Sequence, residues 1–148
     1  MTKKAGLLLG VAGLLVYSAN CFAADKNTVP LDAGARPTQT EAVRTGEQAI
    51  RQQMFDPDAA KIEWPYLFKS GTLKPTFGKP TAGFWTCGLI NGKNRYGAYS
   101  GQTWFLIMIN NGVVNALDVG TPGEIGMATA SCPDFLEKGV LQPVPAVN

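Results

Sequence analysis

The chain has 148 residues, with 13 basic and 11 acidic side chains, no histidine and three cysteines. That length suits one domain with a moderate core and is too short for two. Without histidine the chain lacks the commonest base for activating a serine or cysteine nucleophile. It also lacks a principal metal ligand, so neither triad chemistry nor a Cys/His metal site is expected.

The first residues follow the order of a secretory signal: basic Lys3 and Lys4, an apolar run over residues 5–16, then small residues leading to Ala23. Cys21 and Ala23 occupy the small-x-small positions of a cleavage site, so cleavage is expected after Ala23. The apolar run is shorter than the roughly 20 residues that span a bilayer, and no membrane span is expected after cleavage. A lipoprotein anchored through Cys21 is the lesser alternative, because Ser18, Ala19 and Asn20 fit a lipidation signal poorly. Removing Lys3 and Lys4 leaves 11 basic residues against 11 acidic ones, a neutral domain without the basic stripe that nucleic-acid binding needs. It also leaves an even pair of cysteines, Cys87 and Cys132, expected to form a disulfide in a periplasmic or secreted setting.

Residues 24–37 show no hydrophobic period and carry Pro30, Gly34 and Pro37, which reads as a flexible leader. Thr38 and Glu41 form a capping-box signature, predicting a helix from there to about Phe55 with Ala42, Val43, Ala49, Ile50 and Met54 near one face. Pro57 ends it, and Asp56-Pro57-Asp58 starts a turn. From Ile62 the period becomes two, through Trp64, Tyr66 and Phe68. Pro65 within that run predicts an edge strand or a broken one. Residues 70–81 read as a loop. Residues 84–90 and 103–109 are apolar on both faces and predict interior strands. Asn110-Asn111-Gly112 predicts a tight hairpin returning through residues 113–119. Residues 121–124 read as a turn and 125–130 as a short helix that carries Cys132 toward the sheet. A frayed tail is expected over 139–148. The expected fold is α+β over residues 38–138: an N-terminal helix on a small antiparallel sheet of three to four strands, with one disulfide.

The most distinctive stretch is Cys87-Gly88-Leu89-Ile90-Asn91-Gly92-Lys93-Asn94-Arg95-Tyr96-Gly97-Ala98-Tyr99-Ser100-Gly101, preceded by Asp56-Pro57-Asp58-Ala59-Ala60. It resembles small exported bacterial proteins of uncharacterised function, in which a DP-x-x-A turn precedes a CG-x-x-N-x-x-N-x-x-G-x-Y-x-G run. The resemblance covers roughly residues 40–135; it implies a shared export-adapted domain and brings no catalytic residue.

Physically, the glycines and Asn91 and Asn94 specify an irregular connector between strands. On it Lys93, Arg95, Tyr96 and Tyr99 are the candidate binding residues, a cationic and aromatic surface. Glu63, Asp118, Glu124 and Asp134 are the carboxylates a small acid/base enzyme would have to use. Trp64, Trp85 and Trp104 are expected in the core. No catalytic residue, cofactor or metal is expected. The leading reading is an exported non-catalytic interaction module with an envelope or secreted partner. The alternatives are a small envelope-acting enzyme using carboxylates, and an inhibitor or secretion-system accessory protein.

Overall fold

A computed structural model describes residues 31–74 and 79–146 of the chain. The expected signal peptide, Cys21 and the leader up to residue 30 lie outside the described residues. The first helix, α1 (Gln39–Arg51), begins as its sequence predicts: Glu41 N–H donates to Thr38 Oγ1 at 3.2 Å, and Thr38 N–H donates to Glu41 Oε2 at 3.0 Å. It stops one turn short of Phe55. The Arg51 guanidinium donates to the carbonyls of Pro57 and Ala60, holding the chain where it folds back, and Gln53 and Met54 close tighter i−3 turns.

Five strands follow: β1 (Lys61–Glu63), β2 (Lys69–Leu73), β3 (Thr81–Asn91), β4 (Thr103–Asn110) and β5 (Val113–Val119). They form one antiparallel sheet in the order β1-β3-β4-β5, with β2 also paired to β3. The expected count of three to four strands is thus corrected to five. The alternating run from Ile62 breaks at residues 64–68, where Pro65 has no N–H to give, and pairing resumes as β2 inside the expected loop over 70–81. Residues 75–78 of that loop lie outside the described residues. The hairpin Asn110-Asn111-Gly112 turns with Asn111 at φ 49° and Gly112 at φ 75°, the positive angles that a tight two-residue turn requires.

A second helix, α2 (Met127–Glu137), runs well past the expected 125–130 and through Pro133. Asp118 Oδ2 accepts from Ala128 N–H at 2.6 Å, and Thr129 Oγ1 accepts from Gly126 N–H at 2.7 Å, satisfying two donors at its start. The two helices cover opposite faces of the sheet. Phe105, Ile107 and Ile109 of β4 point into the cluster with Ala42 and Ile50 of α1, while Leu106 and Met108 point toward Ala128 and Cys132 of α2. Being covered on both faces makes β4 continuously apolar. The disulfide joins Cys87 of β3 to Cys132 of α2 with Cα atoms 5.9 Å apart.

Both flanking segments are tied down. The tail from Gly139, expected as frayed, follows the broken edge: Leu67 N–H donates to Gln142 O at 2.8 Å, Val144 N–H donates to Pro65 O at 2.9 Å, and Leu141 is buried. The gap that Pro65 opens is what the tail fills. Residues 31–37 of the expected flexible leader lie against the β4–β5 hairpin, where Asn110 Nδ2 donates to Asp32 O at 2.7 Å and Ala35 N–H donates to Asn111 Oδ1 at 3.1 Å.

Candidate functional site

The connector from β3 to β4 is built by its asparagines. Asn94 Oδ1 accepts from the amides of Tyr96 at 2.9 Å and Ala98 at 3.2 Å, Asn91 Oδ1 accepts from Gly101 N–H at 3.2 Å, and Lys93 and Tyr99 pair across the loop. Gly97 at φ 79° makes the reversal at the tip. A short ladder with a three-residue tip, residues 95–97, results.

This ladder is clamped to the Asp56-Pro57 turn. Lys93 Nζ donates to Asp56 Oδ2 at 3.1 Å, and the Tyr99 hydroxyl donates to Ala59 O at 3.1 Å. Lys61 and Lys93 stand 4.7 and 5.7 Å from the centre of the Tyr99 ring, within cation–π range. The Lys93 ammonium, and then the Ala59 amide, hold the Asp56 carboxyl below the usual carboxylate range. The two parts of the sequence motif, 37 residues apart, therefore meet in space.

The four candidate binding residues divide accordingly. Lys93 and Tyr99 serve the clamp, with Tyr99 43% exposed, whereas Arg95 and Tyr96 occupy the tip and Tyr96 is 86% exposed. The structure adds Phe55, 72% exposed, whose ring lies 6.0 Å from the Arg95 guanidinium carbon. Sequence reading missed it by assigning it to the end of the amphipathic helix. The available signal was an aromatic outside the apolar stripe, directly before Asp56-Pro57. Beside the tip opens a cleft of about 380 Å³ at one end of the sheet. Met54, Phe55, Ile90, Val119 and Pro122 supply its apolar part, and Lys93, Ser100 and Thr121 are among its polar lining.

The candidate carboxylates are dispersed. Glu63 accepts from Gln102 Nε2 at 3.1 Å, Asp118 caps α2, Asp134 pairs with Lys138 at 2.8 Å, and Glu124 lies on the exposed 121–124 turn. Glu63 and Asp118 sit on strands at opposite edges, three strand spacings or about 14 Å apart. Among the described residues no three His, Cys, Asp or Glu side chains gather as a metal site, and no helix is long and apolar enough to cross a membrane. Trp85 is buried, and Trp64 and Trp104 are half-buried against the two core clusters, so the tryptophans build the core as expected. No protein-family model matches this chain, and no curated protein or solved structure does.

Proposed function

We propose that the chain is an exported, non-catalytic interaction module of the bacterial envelope, acting on an envelope or secreted protein through the surface formed by Phe55, Arg95 and Tyr96. The observation that carries this reading is the exposure of two large rings flanking an arginine on a loop fixed from both sides. Aromatic and arginine side chains dominate the energetics of protein interfaces, and a ring of this kind can bury roughly 150 to 250 Å². Because the Asn94 turn and the Asp56 clamp already order the loop, little entropy remains to be lost on binding. The Cys87–Cys132 disulfide supports an oxidising compartment.

Affinity capture from envelope extract tests this reading. Replacing Phe55, Arg95 and Tyr96 together by alanine should weaken capture tenfold or more, about 1.4 kcal/mol, while thermal unfolding stays nearly unchanged, since exposed side chains contribute little to stability. Undiminished capture by a folded triple variant would place the binding surface elsewhere.

A further inference from the structure

Resting on the reading of the Phe55–Tyr96 surface as the binding face, we infer that what docks there is an acidic peptide segment of the partner: one bulky apolar side chain enters the cleft, and a neighbouring carboxylate meets Arg95.

Size argues for an entering side chain. A cleft of about 380 Å³ that opens to solvent is large enough to receive a protruding bulky side chain. One side chain can fill the space between Met54, Ile90 and Val119, while the hydroxyls of Ser100 and Thr121 lie at the lining where a peptide backbone would pass.

Charge argues for an acidic segment. No acidic side chain lines the cleft, and its single charged lining residue is Lys93, already paired with Asp56. Arg95, beside the lining residue Phe55, makes no ion pair among the described residues, nor does Lys61 near the Tyr99 ring. The guanidinium carbon lies 6.0 Å from the centre of the Phe55 ring, at the limit of cation–π range. A planar guanidinium fork is suited to a carboxylate and repels a basic segment. A glycan fits less well, because its many hydroxyl donors need acceptors. The cleft has no carboxylate, and the Asn94 carbonyl oxygen is already taken by Tyr96 and Ala98.

The test is selection of displayed random linear peptides on the disulfide-intact mature protein, followed by titration of the enriched sequences as synthetic peptides. Enriched sequences should share an aromatic or branched aliphatic residue with Asp or Glu within two positions. Their affinity should fall tenfold or more in Arg95→Glu, which reverses the charge beside Phe55. It should fall similarly in Ser100→Trp, which fills the cleft from a solvent-exposed position, with both variants unfolding at the wild-type temperature. Enrichment of basic or uncharged sequences, no enrichment above the display background, or equal affinity for Arg95→Glu would each overturn the inference. So would saturable binding of peptide-free chitin oligosaccharides in place of peptides, which would assign the cleft to a glycan. If the inference fails while the triple alanine variant still loses envelope capture, the surface stands and only the acidic peptide is removed. If that variant keeps its capture, the surface itself is wrong.

Discussion

The two faces of the sheet are closed by helices that owe their places to different forces. On one face α1 has a full capping box and packs so closely that a Cβ on Gly46 would lie 2.5 Å from the Trp64 ring. On the other, α2 carries Pro133 in its interior and a weaker apolar stripe, yet is joined covalently to β3 through Cys132. A helix with good local signals can be held by packing alone, whereas a helix that loses a backbone hydrogen bond at an interior proline gains from a tether. The contrast also concerns the loop at the end of β3, because the strand that holds Cys87 delivers Lys93 to the clamp.

Removing the tether is the largest way to break this comparison. Cys132→Ala, paired with Cys87→Ala to leave no free thiol, should cost about 4 kcal/mol, the chain-entropy value for a loop of this length. Denaturant unfolding measures the loss, and hydrogen exchange should show α2 amides becoming labile while those of α1 stay protected. Equal labilisation of both helices would mean that the disulfide stabilises the sheet as a whole. Pro133 is exposed, and Pro133→Ala restores a donor for the Thr129 carbonyl. It should raise stability by up to about 3 kcal/mol, the interior-proline penalty. No gain would show that the proline is accommodated without strain.

Gly46→Ala tests the packed face. Trp64 is itself wedged between Phe68 and Phe105, with ring centres 5.8 and 4.7 Å away, so it has little room to yield. Overpacking of this kind should cost about 1–3 kcal/mol, read as a lower unfolding midpoint. A neutral result would show that α1 can shift outward.

The smallest effect concerns the clamp and its pH dependence. Asp56 has a lowered carboxyl pKa in the folded protein. Its contribution is therefore complete above the ordinary aspartate value near about 4, and is lost as pH falls through the lower native value. The protection of the Tyr96 and Ala98 amides, relative to the unstructured exchange rate at each pH, should fall in that acidic window, and Asp56→Asn should already show the lower protection at neutral pH. Glu41 is also shifted down, held by the Thr38 hydroxyl and amide, but its acid response belongs to the start of α1 and separates by site. Loop amides indifferent to Asp56→Asn would show that Asn94 and Tyr99 hold the loop without the ion pair.

The sequence by itself determined features whose causes lie within a few residues. Thr38 and Glu41 specify the start of α1, Asn110-Asn111-Gly112 the hairpin, and the two-sided apolarity of residues 103–109 the central strand; each depends on local backbone angles or a short periodicity. The pairing of Cys87 with Cys132 is legible if Cys21 belongs to a cleaved signal, because only one pair then remains. In the candidate site, Asn91, Asn94 and Gly97 mark an ordered loop, and Lys93, Arg95, Tyr96 and Tyr99 lie on it. Only the tertiary structure decided which of these four face solvent and which serve as anchors. Tyr99 is fixed by Ala59 and Lys61, Lys93 by Asp56, and Phe55 is turned outward to meet Arg95. The same holds for α2 continuing through Pro133 and for the tail filling the gap at Pro65. In each case the deciding partner is distant along the chain. Neither propensity nor periodicity carries information about which of many possible neighbours will pack there; that choice is made when the two faces of the sheet are covered and the remaining polar groups find their bonds.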